Sequence, residues 1–223
     1  MWIKICGNTN LEDTQLAVEA GADAVGFVFA QSPRRVNAAQ VSAITLYLPE
    51  AIEKYGVFVD ADLNEIVRAV LESGLTGVQL HAGHDLLLPS RLREHFGPAL
   101  RILRVVHYAQ DFAKQLDILQ KNPAIDAVLV DSRTATAVGG TGTPFDWRAA
   151  SHGFQDSASR LRLIAAGGLN PENVTEAIRT LQPWGVDVAS GVESAPGKKD
   201  PARVKAFVTA AKTAAEEITA ASR

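Results

Sequence analysis

Eight short apolar runs alternate with eight longer amphipathic segments from one end of the chain to the other. The runs are residues 2–6, 23–28, 55–59, 77–81, 101–106, 126–131, 161–166 and 185–189. Helical periodicity falls near 11–20, 38–48, 62–73, 86–96, 110–121, 146–152, 171–182 and 200–221, with the weakest pattern at 146–152. Such alternation implies a parallel sheet, because each strand is followed by a crossover helix that brings the chain back in the same direction. Eight pairs in 223 residues is about 28 residues per pair, and eight is the number that closes a (β/α)₈ barrel. An open doubly wound sheet is the competing arrangement, but no G-x-G-x-x-G follows the first run. The chain therefore reads as a single-domain (β/α)₈ TIM barrel over residues 1–223.

Local signals agree with these boundaries. Asn10-Leu11-Glu12-Asp13 supplies a capping side chain and first-turn acids. Asn170-Pro171-Glu172-Asn173 reads as a helix start with proline at the first position, and Gly21 and Gly74 sit where C-terminal glycines belong. A net charge of -3 argues against a bulk-charge surface for nucleic acid but not against a local anion site. One cysteine excludes an intrachain disulfide and any cysteine-rich zinc site. The apolar start, Met1 to Gly7, is too short for a signal peptide, and no stretch approaches the ~20 apolar residues of a membrane span. A cytoplasmic protein with no nucleic-acid or membrane partner is expected; the charge and the final helix allow a monomer or a homodimer, and a monomer is the expectation.

Side-chain parity along the strands is more informative. One parity of a barrel strand meets the helices and the other faces the barrel interior. Ile3 and Ile5, Val78 and Leu80, Val128 and Val130, and Val186 and Val188 form the apolar parity. Lys4, Cys6, Gln79, His81, Asp131 and Asp187 must then point inward. Cys6, His81 and Asp131 also lie at C-terminal strand ends, the face on which barrel enzymes carry their sites. Bland readings exist for each: Cys6 as a small buried hydrophobe, Asp131 as a loop cap, Asp187 as the partner of Lys4 or an arginine. His81 and His84 have H-x-x-H spacing but straddle a strand end, which weighs against a metal, and none is expected. The stretch Gly197-Lys198-Lys199-Asp200 reads most simply as a solvated loop.

Two glycine-bearing loops fall after the seventh and eighth strands. They are Ala166-Gly167-Gly168-Leu169-Asn170-Pro171 and Ala189-Ser190-Gly191-Val192-Glu193. Loops at these two places form the recurrent phosphate site of such barrels, where backbone N–H groups approach the anion closely. Gly167, Gly168, Ser190 and Gly191 are the candidate phosphate-binding residues. Gly139-Gly140-Thr141-Gly142, after the sixth strand, reads as a flexible lid over the same face.

A resemblance covers nearly the whole chain. Lys4-Ile5-Cys6-Gly7-Asn8-Thr9, Asp23-Ala24-Val25-Gly26-Phe27-Val28-Phe29, Gly56-Val57-Phe58-Val59 and Val78-Gln79-Leu80-His81 carry its first half. Gly139-Gly140-Thr141-Gly142 with Phe145-Asp146-Trp147, Gly167 to Val174, Val186 to Glu193 and Pro196-Gly197-Lys198-Lys199-Asp200 carry the second. In this order they resemble phosphoribosylanthranilate isomerase. The resemblance implies a (β/α)₈ barrel that converts N-(5-phosphoribosyl)anthranilate to 1-(2-carboxyphenylamino)-1-deoxyribulose 5-phosphate, an Amadori rearrangement of tryptophan biosynthesis that uses no cofactor. It implies a catalytic pair at Cys6 and Asp131, an anthranilate carboxylate contact at Arg35 rather than its neighbour Arg34, and a sugar contact at Asp187. The chain departs from the family pattern at His81-Ala82-Gly83, at Val106-His107 and in the loop after Asp131, which bears on substrate preference and the lid.

The chemistry needs an acid and a base. Opening a furanose amine requires a proton on the ring oxygen, and the resulting iminium must lose its C2′ proton. Asp131 is expected as the acid and Cys6, as thiolate, the base, with Lys4 on the same face favouring the thiolate. An epimerase would want paired aspartates with metal-binding histidines, and indoleglycerol-phosphate synthase would want catalytic lysines at strand ends. A dual-substrate isomerase would want an aspartate where Cys6 stands, and a non-catalytic phosphosugar binder would need neither Cys6 nor Asp131.

Overall fold

The computed structural model describes residues 1–81, 85–108, 112–131, 151, 154 and 161–221. Eight strands, β1 (Trp2–Ile5), β2 (Ala24–Val28), β3 (Glu53–Phe58), β4 (Gly77–Leu80), β5 (Arg101–His107), β6 (Ala127–Asp131), β7 (Leu163–Ala166) and β8 (Gly185–Val188), pair in chain order. All the pairs are parallel, and β8 returns to β1 to close the barrel, with Trp2 opposite Gly185 and Lys4 opposite Asp187. The described helices around it are α1 (Leu11–Glu19), α2 (Ala38–Thr45), α3 (Leu63–Ser73), α4 (Leu88–Phe96), α5 (Phe112–Leu119), α6 (Val174–Leu181) and α7 (Pro201–Ala221).

Strand parity separates two apolar cores. Ile3, Ile5, Val25, Phe27, Val78, Leu80, Val128, Val130, Val186 and Val188 belong to the large cluster shared with the helices. Trp2, Ala24, Tyr55, Leu103, Val105, Ala127, Leu129, Ile164 and Ala166, of the other parity, form a separate cluster that fills the barrel. Each fully buried aliphatic or aromatic side chain here contributes about 1.5–3 kcal/mol of transfer free energy. Above this plug, toward the C-terminal strand ends, the same parity brings Lys4, Gln79, Asp131 and Asp187, all buried. The polar layer therefore sits on an apolar floor, which fixes the site at one end of the barrel.

Caps explain the helix starts. Asn10 accepts from the backbone N–H of Asp13, and Asn37 and Asp62 each form a capping box, with Gln40 and Glu65. Gly74 ends α3 in the left-handed region at φ 62°, as its position predicts.

Several boundaries differ from expectation, each for a local reason. β3 begins two residues early because Glu53 and Lys54 pair with Ala24 and Val25 while their side chains find partners. Glu53 accepts from Trp2 Nε1 and Tyr55 OH, and Lys54 Nζ donates to the carbonyls of Pro49 and Ile52. α2 ends at Thr45 since Leu46 and Tyr47 face solvent and gain nothing from continuing toward Pro49. α6 starts at Val174 rather than at Pro171, because Asn170 Oδ1 holds the N–H groups of Glu172 and Asn173 in a turn first. The stretch expected as a solvated loop at 197–200 instead contributes to a hairpin, β9 (Glu193–Ala195) with β10 (Lys198–Lys199), in which Lys199 is 2% exposed. Its ammonium has carbonyl and carboxylate partners, which is why it is buried. The expected lid at 139–142 and His84 lie outside the described residues, as does the helix expected at 146–152 apart from Ser151. Among the described residues, no helix is long and apolar enough to cross a membrane.

Candidate active site

A cavity of about 280 Å³ opens among the C-terminal strand ends, and Cys6, Gln79, His81, Asp131 and Asp187 line it together. Cys6 follows β1 directly and keeps the barrel ladder, its N–H donating to the carbonyl of Val188 at 2.8 Å. Beside it β2 carries Gly26, where a Cβ would lie 2.6 Å from Cys6 Sγ. Any side chain there would push the sulfur away, so the sequence leaves that slot empty.

The register of β1 with β8 sets Lys4 opposite Asp187. Lys4 Nζ donates to Asp187 Oδ1 at 2.5 Å, with the lysine side chain 0% exposed. Burial alone would lower the ammonium's pKa; the carboxylate of Asp187 and the thiol of Cys6 outweigh it and raise the pKa above its usual value. Burial pushes the Cys6 thiol up and Asp187 adds to this, while Lys4 and Lys199 pull in the opposite direction. The cations therefore offset part of the cost of forming a thiolate in a dry site.

Asp131 ends β6, in register with Ala166 on β7 and His107 on β5, and is 4% exposed. His81, after β4, is within hydrogen-bond distance of Gln79 Nε2 through its Nε2, at 3.1 Å. Burial lowers the imidazole to a pKa of about 4, against the opposing charge of Asp131, so it is neutral at neutral pH. Gln79 Oε1 is buried with no hydrogen-bond partner among the described residues.

The two glycine loops meet at the other side of the cavity. Gly167 and Gly168 adopt φ 84° and 67°, and both line the cavity with Ser190. Asn173 Nδ2 holds the first loop by donating to the carbonyl of Gly168 at 3.0 Å. Gly191 backs the cavity rather than lining it, and a Cβ there would meet the carbonyl oxygen of Leu169 at 1.8 Å. The absence of a side chain is what lets the two loops pack together.

Arg34 and Arg35 part ways. Arg34 lines the cavity and donates through Nε and Nη2 to both oxygens of Glu193, at 2.8 and 2.6 Å. Arg35 donates to Gln31 Oε1 at 3.1 Å and lines a neighbouring groove with Asn37, Gln40 and Glu65. Of the expected site residues, the cavity thus gathers Cys6, Asp131, Asp187, Gly167, Gly168 and Ser190, but neither Arg35 nor Gly191. Sequence reasoning ranked Arg34 behind Arg35 and did not join it with the buried Glu193 and Lys199 in one cluster. Adjacent arginines carry no periodicity to separate them, and the signal for the other two was only an acid and a base flanking Gly197. Among the described residues, no group of three His, Cys, Asp or Glu side chains is arranged to hold a metal ion.

A buried acid, a buried thiol beside a lysine, and two glycine loops suit proton transfer on a small anionic sugar derivative. Comparison with known proteins agrees. Residues 3–210 match the family described as PRAI, N-(5'phosphoribosyl)anthranilate (PRA) isomerase. An N-(5'-phosphoribosyl)anthranilate isomerase of Rubrobacter xylanophilus is 41% identical over 216 residues, covering 95% of this chain and 98% of the relative. The crystal structure of phosphoribosyl anthranilate isomerase from Thermotoga maritima is similar at TM-score 0.83 and 35% identity, with 96% of this chain and 99% of that one covered. A structure of such an isomerase in complex with reduced 1-(o-carboxyphenylamino)-1-deoxyribulose 5-phosphate is similar at TM-score 0.79 and 34% identity, again covering 96% and 99%. The chain belongs to the N-(5'-phosphoribosyl)anthranilate isomerase family.

Proposed function

We propose that the cavity rearranges N-(5'-phosphoribosyl)anthranilate with Asp131 as general acid and Cys6 as general base. Asp131 gives its proton to the ring oxygen as the C1′–O bond breaks, and the anthranilate nitrogen lone pair forms the iminium. The Cys6 thiolate removes the C2′ proton, and the electron pair of that C–H bond becomes the C1′–C2′ double bond of an enolamine. The enolamine then loses its 2′-hydroxyl proton and gains one at C1′, giving the ketone. Asp131 ends deprotonated and Cys6 protonated, and exchange with solvent resets both.

The observation that supports this most is the presence of Cys6 and Asp131 in one small cavity, with Lys4 and Asp187 paired beneath the thiol. Arg34 replaces Arg35 as the choice for the anthranilate carboxylate, since Arg34 lines that cavity. The backbone of Gly167, Gly168, Ser190 and Gly191 takes the phosphate in this reading, which follows from the glycine loops after β7 and β8. In this reading Asp187, which lines the cavity, takes a sugar hydroxyl, and the unmatched Gln79 Oε1 accepts from another. Holding the substrate at both ends positions C2′ at the thiolate. In this reading the protein works as a cytoplasmic monomer, as expected from its small net charge and its final helix.

Loss of anthranilate-ribotide fluorescence with purified protein tests the reading. Turnover that inorganic phosphate inhibits competitively is the expected result. Absence of turnover, with phosphate still bound, would leave a non-catalytic phosphosugar binder as the better account.

A further inference from the structure

The hairpin β9–β10 folds from the end of β8 back over the end of β1. Thr9 Oγ1 donates to the carbonyl of Gly197 at 2.7 Å, and the Lys199 N–H to Asp13 Oδ2 at 2.9 Å. At its centre the side chains of Lys199 and Glu193 are 0% and 4% exposed and pair at 3.1 Å. Lys199 Nζ also donates to the main-chain carbonyls of Cys6 and Ala189. Glu193, through both oxygens, holds the guanidinium of Arg34. One buried ion pair therefore touches the backbone of the thiol-bearing residue at one end and the cavity arginine at the other.

A buried ion pair is a poor way to gain stability, because an apolar pair of the same volume often does as well. Its placement suggests a different use. We propose that Lys199 and Glu193 are positioning residues for the reaction: Lys199 fixes the Cys6 main chain and keeps a cation near its thiol, while Glu193 fixes the Arg34 guanidinium in the same frame. This rests on the reading of Cys6 and Arg34 given above. It follows that base and carboxylate holder are set relative to each other by one carboxylate–ammonium contact. A displacement of about 1 Å in such an arrangement costs about 10² in rate. Among the described residues, the charges acting on Cys6 include Lys4 on β1, Asp187 on β8, Lys199 on the hairpin and Arg34 from the loop after β2, and Asp131 shares its cavity. β2 carries no charged residue, and its Gly26 lies beside the Cys6 sulfur. Burial pushes the thiol up, and Lys199 is one of the groups that oppose it.

The chain has one cysteine, so alkylation by iodoacetamide reports on Cys6 whether or not the isomerase reading holds. Lys199→Met, Glu193→Gln and the double variant are compared with wild type for alkylation rate across pH, kcat, KM and the acid limb of the pH–rate profile. Lys199→Met is expected to slow alkylation near neutral pH about three- to tenfold, the effect of raising the thiol by half to one pH unit. It should move the acid limb upward by the same amount and lower kcat with little change in KM. Glu193→Gln should raise KM about tenfold and leave alkylation no slower than in wild type. A merely structural pair would lower activity without moving the limb or the alkylation rate, and that result in a folded Lys199→Met protein overturns the proposal. If Lys199→Met does not fold, the double variant, which leaves no lone buried charge in the pair, carries the test. It should alkylate slowly and show a raised KM, and wild-type values for both overturn the proposal. Should wild-type protein alkylated at Cys6 retain full turnover, the reading of Cys6 as base fails. The alkylation rates alone then decide whether the pair governs the thiol.

Discussion

Replacing Lys4 with methionine removes a charge from the centre of the barrel while keeping most of the side chain's volume. The structure gives the terms. Lys4 is 0% exposed, its Nζ lies 2.5 Å from Asp187 Oδ1, and the Asp187 side chain is 10% exposed. At that separation, two unit charges attract by about 6–7 kcal/mol at an effective dielectric of ~20. Relief of the lysine's desolvation returns part of this, and breaking one side of a buried pair generally costs about 3–5 kcal/mol because the other charge is left behind. Lys4→Met should therefore lose about 3–5 kcal/mol, a shift of about 2 M in the urea midpoint for an m-value of ~2 kcal/mol/M. Lys4→Met with Asp187→Asn should recover most of the loss, since no lone charge remains. The ammonium's pKa is raised on folding, so its contribution is fully present below its unfolded value of 10.5 and fades as pH rises through the higher folded value. The gap between wild type and Lys4→Met should then be flat from pH 6 to 9 and narrow only above pH ~10. Urea unfolding followed by fluorescence measures all of this. A loss below about 1 kcal/mol, or a double variant no more stable than the single one, would refute the reasoning.

The two arginines give a second test: Arg34→Ala should raise KM for the phosphoribosyl substrate by about 10- to 100-fold, as loss of a charge-assisted carboxylate contact implies, while Arg35→Ala stays close to wild type. Equal effects, or the reverse order, would return the contact to Arg35. NMR titration of His81 should show a midpoint near 4 rather than 6.5, because burial disfavours the imidazolium. With a folded pKa below the unfolded one, His81 should cost stability as pH falls from 6.5 toward 4, and His81→Asn should remove that part of the acid sensitivity. A midpoint near 6.5 would contradict the placement of His81 in a dry pocket.

The sequence showed the barrel because both faces of each strand are buried, but in different surroundings. Ile3 and Ile5 meet helices while Lys4 and Cys6 meet the interior, and the same contrast at Gln79, Asp131 and Asp187 marks the polar layer in the sequence itself. Cys6 and Asp131 were legible through that parity. The glycines after β7 and β8 were legible because close loop packing, as at Gly191, tolerates no side chain. What stayed hidden lacks a local period. Glu53 and Lys54 begin β3 because partners far along the chain and in neighbouring loops satisfy them. Arg34 and Arg35 differ only in which way a loop turns them. Lys199 reads as a surface lysine, since nothing within a few residues reveals that the carbonyl of Cys6, 193 positions away, waits for its ammonium.

The central claim is that Asp131 and Cys6 divide the proton transfers between them, and substrate deuterated at C2′ measures this most directly. Asp131→Asn and Cys6→Ser should each lower kcat by about 10²–10⁴, the usual range for general acid–base catalysis. In Cys6→Ser the C2′ proton transfer limits the rate, so a deuterium isotope effect should appear or grow. In Asp131→Asn ring opening limits the rate, and the effect should be small. Near-wild-type turnover in both variants, or a large isotope effect in Asp131→Asn with none in Cys6→Ser, would contradict the assignment.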